Sequence, residues 1–214
     1  VKVQRIKDPI LKAIVEELRT KNGCHTIVLY GSRARGLTTP TSDYDVFGVR
    51  RSGEKTRIAK KQNGAYWDVF VYSEKDLRKL GEAQFSWRNA RLLYAEGQYG
   101  KSLMKRIDTL LKKPYKPRPQ YEIDVVVAWA QKQLERCRMK DIQALFRRAE
   151  FQAALIDHYF FVRQKRFLGP KAGFVWLEKN DPKTFALIKR ALLYPTNLTF
   201  LKAAASRVYQ VSLR

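Results

Sequence analysis

The chain has 214 residues, 45% of them hydrophobic and 12% aromatic, enough to bury one large core or two small ones, which excludes a disordered tail. It sets 43 Lys and Arg against 20 Asp and Glu, and this net charge of +23 goes far beyond what solubility requires, so a polyanion such as RNA, DNA or an anionic membrane is the first partner to consider. No run of about 18 apolar residues occurs, and VKVQRIKDPILKAIVEEL mixes charge into its apolar positions, so neither a membrane span nor a signal peptide is expected and the protein is placed in the cytoplasm. Cys24 and Cys137 lack metal-site spacing and read as inert thiols.

In chain order, the first predicted element is a helix capped by Asp8 with Pro9 at its first position, its apolar face running through Ile10, Ile14, Val15 and Leu18 as far as Gly23. Three strands follow, at HTIVLYG (25–31), DYDVFGVR (43–50) and AYWDVFVYS (65–73), each rich in β-branched or aromatic residues and bounded by turn formers. Ser73 and Asp76 have capping-box spacing and predict a helix ending near Gly81, with EAQFSWRNARLLYAEG continuing helical. The segment KKPYKPRPQ (112–120) puts three prolines and four basic residues into nine positions, which no helix or central strand accommodates. The boundary is therefore placed there, between a first domain over 1–112 and a second over 121–214. Beyond it, apolar residues at three- and four-residue spacing predict a bundle of about four helices. The expected class is α+β: a small mixed sheet with flanking helices, followed by a helical bundle.

The polar residues inside the strands carry the chemistry. On a strand, residues two apart share a face, so Asp43 and Asp45 project together, their Cα atoms roughly 6 to 7 Å apart, while Tyr44 and Val46 turn into the core. Two such carboxylates repel unless a cation sits between them. A hard divalent ion such as Mg²⁺ suits them, and a pair of ions about 3.5 to 4 Å apart can clamp an in-line phosphoryl displacement. Asp68, which interrupts an apolar and aromatic strand, is the candidate third ligand, on a strand expected to pair antiparallel with that of Asp43 and Asp45. A lone Asp in a strand is more often at an exposed edge or paired with a Lys. Upstream, YGSRARG follows a strand and leads into a short helical segment. Gly31 would let backbone approach a phosphate, Ser32 would offer a hydroxyl and an N–H, and Arg33 and Arg35 would add cationic reach.

GSRARG at 31–36, SDYDV at 42–46 and Asp68 on a later strand together resemble the polymerase β-like nucleotidyltransferase superfamily, within it the minimal and kanamycin-nucleotidyltransferase-like branch. The resemblance implies that Gly31 and Ser32 hold the triphosphate of an NTP, ATP among the options, and that Asp43 and Asp45 ligate Mg²⁺. It further implies that Asp68 completes the metal site and acts on the acceptor hydroxyl. The helical half looks like the bundle that follows the catalytic domain in kanamycin-type enzymes, some of which take their base from a bundle Glu. Here no such Glu is assigned, Glu150 being only a guess.

Charge selects the acceptor. Residues 101–120 carry seven Lys or Arg against one Asp, and 161–171 are basic with no acid. Aminoglycosides are polycations and would be repelled, whereas an RNA end such as the 3′ end of a tRNA matches. Tyr115 and Phe167, each beside basic residues, are candidates for stacking on bases, or core residues. His25 and His158 have no partner at ligand spacing and read as structural. The expected function is Mg²⁺-dependent transfer of a nucleoside monophosphate to RNA. Its rivals are an aminoglycoside-type enzyme, an AMP-transferring enzyme of toxin and antitoxin type, and an inactive RNA-binding module. A dimer is compatible with the sequence.

Overall fold

The computed structural model describes residues 2–3 and 6–210, and divides the chain into two compact units between Lys113 and Pro114. Among the described residues no helix is long and apolar enough to cross a membrane.

The first unit runs β1 (Lys2–Val3), α1 (Pro9–Thr20), β2 (Thr26–Leu29), α2 (Gly31–Ala34), β3 (Tyr44–Arg50), β4 (Thr56–Gln62), β5 (Ala65–Ser73), a 3₁₀ turn (Glu82–Trp87), β6 (Arg91–Ala95) and α3 (Tyr99–Leu111). Its six strands form one mixed sheet in the order β1-β6-β2-β3-β5-β4. α1 begins where Asp8 and Pro9 require: the Asp8 carboxylate accepts from the N–H groups of Ile10 at 2.8 Å and Leu11 at 3.2 Å. The face of α1 carrying Ile14, Val15 and Leu18 packs on Ile27, Leu29, Val46, Trp67, Val69 and Val71. The opposite face of the sheet, through Val28, Phe47 and Val49, is covered by Trp87 and by Leu103 and Ile107 of α3.

The second half of this unit departs from expectation. Residues 56–62 form a strand that hydropathy hides, because Arg57, Lys60 and Lys61 sit on it as an edge strand. It turns through Asn63 (φ 52°) and Gly64 (φ 75°) into β5, and the hairpin reverses the chain once more. In consequence β5 pairs with β3 in parallel, correcting the antiparallel sense expected for the strand of Asp68. Ser73 and Asp76 do bond as a cap, Asp76 Oδ2 accepting from the Ser73 N–H and hydroxyl at 2.8 Å, but they close only turns. Of the segment expected to continue helical, Glu82–Trp87 is 3₁₀ and Arg91–Ala95 is β6, paired to both β1 and β2.

Among the described residues, the second unit has five helices rather than about four: α4 (Gln120–Arg136), α5 (Ile142–Val162), α6 (Pro170–Asn180), α7 (Pro182–Leu193) and α8 (Leu198–Tyr209). The additional one, α6, starts at Gly169 in a left-handed conformation (φ 89°) followed by Pro170 at its first position. Phe151, Leu155, Leu177, Ile188, Leu201 and Val208 fill the core between these helices.

Candidate active site

The site starts where β2 ends. Tyr30 donates its backbone N–H to the Asp45 carbonyl at 2.9 Å, and the chain then turns at Gly31 (φ 71°) into the single turn of α2. A Cβ added at Gly31 would lie 2.0 Å from Asp45 Oδ2 and 2.7 Å from its Cγ. Glycine is thus required twice over, for its positive φ and because the Asp45 carboxylate lies where a side chain would be. Ser32 follows, buried.

The mouth of β3 is held by a clamp. Arg33 donates from Nε to the Asp43 carbonyl at 3.1 Å and from a terminal nitrogen to the Ser42 carbonyl at 2.7 Å, with its guanidinium 3.7 Å from the centre of the Tyr44 ring. Tyr44 in turn donates its hydroxyl to Asp8 Oδ2 at 2.9 Å, tying the strand to the start of α1. Arg33 therefore fixes the backbone that presents Asp43, an exposed residue one position before the strand. Arg35 ends α2 with a buried Nε that has no hydrogen-bond partner among the described residues. Burial, and then the charge of nearby Arg35, pull the Arg88 guanidinium below its ordinary pKa.

Asp45 and Asp68 are register partners on β3 and β5, so their backbones are about 4.8 Å apart. They point to the face that also bears Tyr30, Phe47 and Phe70. The phenol of Tyr30 has its pKa pushed up, first by burial and then by the charges of Asp45 and Asp68, so it stays a proton donor beside them. Asp68 is 24% exposed and holds a two-pronged ion pair with Arg57 of β4: Nε to Oδ1 at 2.8 Å and a terminal nitrogen to Oδ2 at 2.9 Å. Among the described residues no three His, Cys, Asp or Glu side chains lie close enough to hold a metal ion. The fold thus brings Asp45 and Asp68 side by side and leaves Asp43 at the strand mouth. The donor set is nonetheless of the right kind for a hard divalent ion, being carboxylate oxygens on rigid strands with the Gly31 backbone packed against one of them.

Tyr30, Arg57 and Arg88 are the residues of this region that sequence reading missed. For Arg57 a signal existed: Asn63-Gly64 between alternating segments marks a hairpin, and counting back from it places Ala59 opposite Asp68 and Arg57 diagonally across. Tyr30 and Arg88 carry no local mark.

Other candidates take structural places. Phe167 packs into the second unit's core, its ring 5.5 Å from that of Phe160, so it is a packing residue rather than a free stacking surface. Tyr115 is half-buried, and Glu150 is exposed on α5. His158 accepts from or donates to the Tyr209 hydroxyl at 2.7 Å, and burial lowers its pKa despite the opposing charge of Asp157. His25 is buried against Thr26 and Glu74. Both cysteines are buried free thiols, and burial pushes that of Cys24 up to about 11.

Residues 11–149 match the family described as "Nucleotidyltransferase domain". Among solved structures, a nucleotidyltransferase-like protein from Exiguobacterium sibiricum is similar at 12% identity and a TM-score of 0.44, over 94% of this chain and 74% of that one. No curated protein sequence matches the chain.

Proposed function

Because the chain belongs to the nucleotidyltransferase domain family, and is thereby a transferase of phosphorus-containing groups, we propose that it moves a nucleoside monophosphate from an NTP to the hydroxyl of an RNA 3′ end, a tRNA among the candidates. The acceptor oxygen bonds to the α-phosphorus as the bond to the β-phosphate oxygen breaks, and pyrophosphate leaves. The observation that carries this reading is Gly31: its bare Cα lies against the Asp45 carboxylate, so a turn able to approach phosphate and a carboxylate paired with Asp68 form one surface.

In this reading Gly31 and Ser32 cradle the triphosphate with backbone N–H groups and a hydroxyl, and Arg35 with Arg88 neutralises its outer charge. Arg33 serves by holding Asp43 in place. Asp45 and Asp68, with Asp43 at the strand mouth, would hold one or two Mg²⁺ ions, which when bound supply charge neutralisation at the phosphoryl oxygens and orientation of the hydroxyl. Asp68 also accepts the acceptor's proton, directly or through a water. An RNA acceptor is supported by the +23 charge and by the exposed Lys112, Lys113 and Lys116.

The test is incubation of the full chain with each α-labelled NTP, Mg²⁺ and total RNA. Label entering RNA, with transfer stopped by EDTA and restored by excess Mg²⁺, is the expected result. Label entering only protein or a small molecule would replace the RNA acceptor while keeping the chemistry, and no transfer to any fraction would contradict the proposal.

A further inference from the structure

The Asp45 and Asp68 carboxylates stand on neighbouring strands, and like charges so close destabilise each other unless something of opposite sign lies beside them. In this structure Arg57 supplies the opposite charge at Asp68. Its placement is built into the hairpin. On β4, Arg57, Ala59 and Lys61 face the same way as Phe70, Asp68 and Tyr66 of β5, with Ala59 directly opposite Asp68. The small Ala59 leaves the way clear for the guanidinium to reach diagonally to both carboxylate oxygens, while it lies 5.1 Å from the centre of the Phe70 ring. The neighbouring position does not double this role, since Lys61 lies over Tyr66, 5.3 Å from its ring centre.

A two-pronged guanidinium contact takes both oxygens of Asp68, the same atoms that a divalent ion would need. The two cations therefore compete for Asp68, in charge and for the lone pairs that the guanidinium holds. Arg57 is also suited to leave: its side chain is 57% exposed, it sits on the edge strand, and the Phe70 ring can hold the displaced guanidinium nearby.

We propose that Arg57 is a built-in competitor for the metal position at Asp68, occupying the carboxylate until a divalent cation displaces it. This rests on the reading of Asp68 as a metal ligand. Arg57 acts through Asp68 and so is a positioning residue. It keeps the Asp68 carboxylate paired between turnovers and sets the cation concentration at which the site loads.

The test is binding of Mn²⁺ alone to the full chain, followed by the loss of the free-ion electron paramagnetic resonance signal, without nucleotide. Arg57→Gln, which keeps a polar stem but removes the charge, should bind Mn²⁺ about two- to fivefold more tightly, the order expected for losing a partly exposed, well-aligned ion pair. Arg57→Lys should fall between parent and Gln variant, because an ammonium keeps the charge without the fork. In an Asp68→Asn background the Arg57→Gln change should alter nothing. Arg57→Gln binding no more tightly than the parent, while Asp68→Asn still weakens binding, overturns the inference and leaves Asp68 a ligand. The same gain persisting in the Asp68→Asn background overturns it too, since it would reflect net charge alone. Asp68→Asn binding Mn²⁺ as the parent does would remove the ligand reading and the inference together. Thermal melts of each variant establish that the fold is intact, and should Arg57→Gln fail to fold, the Lys variant carries the same comparison.

Discussion

β5 is one strand with two unlike faces. Trp67, Val69 and Val71 point toward α1 and are sealed in the core, whereas Tyr66, Asp68, Phe70 and Tyr72 point the other way and keep access to solvent. On the sealed face, stability comes from apolar area removed from water, at about 25 cal/mol per Å². On the open face a carboxylate is carried at little cost because Arg57 matches it. The lesson is that consecutive residues of one strand can hold the fold and the chemistry separately, so substitutions one position apart should fail in different assays.

The largest effect is expected where the two roles meet. Gly31→Ala puts a methyl group 2.0 Å from Asp45 Oδ2 at a left-handed φ. Nucleotide transfer should fall by orders of magnitude and the melting temperature should fall with it, since the turn and the carboxylate cannot both keep their places. Next, Asp68→Asn should also lower transfer by orders of magnitude, but with a melting curve close to the parent's, as expected of a partly exposed ion pair. Its neighbour gives the converse: Val69→Ala should cost about 2 kcal/mol in a urea titration and leave transfer by the folded fraction unchanged. If Asp68→Asn unfolds the protein or Val69→Ala abolishes transfer, the separation of faces is broken.

Smaller effects concern the acceptor. Reversing the charge of Lys112, Lys113 and Lys116 should weaken RNA binding and flatten its salt dependence. A surface that neutralises about six phosphates gives a slope of log K on log salt near −4 to −5, the shallower value for single strands, and three fewer contacts should roughly halve it. NTP affinity should not move.

The smallest is in the second unit. Burial by itself would raise the pKa of Asp181, but hydrogen bonds from the Thr184 hydroxyl and N–H and from the Tyr159 hydroxyl, with Arg207 nearby, outweigh it and hold the carboxyl below the ordinary carboxylate value. A depressed folded-state pKa means that the carboxylate stabilises the fold above the unfolded value of about 3.9, and that this contribution is lost as pH falls through the folded value. Asp181→Asn should therefore lower the urea midpoint at pH 7 and remove part of its decline in acid.

Much of this was legible in the residues. The start of α1 follows from Asp8 and Pro9, since a cap and a preset φ are local properties. The cores of β2, β3 and β5 follow from their apolar content, and Gly31, Ser32, Asp43, Asp45 and Asp68 stood out as polar or flexible residues where a strand or its turn would otherwise be apolar. What escaped was non-local. β4 carries Arg57, Lys60 and Lys61, and its pattern makes sense only once it is known to be an edge. The direction of β5 depends on that strand, so missing β4 inverted the pairing of Asp68 with Asp45. RLLYA of β6 has apolar spacing that a short helix would share, and its neighbours β1 and β2 decide the matter. Arg33 reads from sequence as reaching for a ligand, because composition cannot show that its donors meet the Ser42 and Asp43 carbonyls.

The central claim, that the Gly31 turn and the paired carboxylates form a nucleotidyl-transfer site, is tested most directly with Asp45→Asn. The substitution keeps the shape against Gly31 and removes one charge. Single-turnover transfer of label from an α-labelled NTP, measured with Mg²⁺ on parent and variant of equal thermal stability, should fall by at least about a thousandfold in the variant. Transfer at the parent rate would contradict the account.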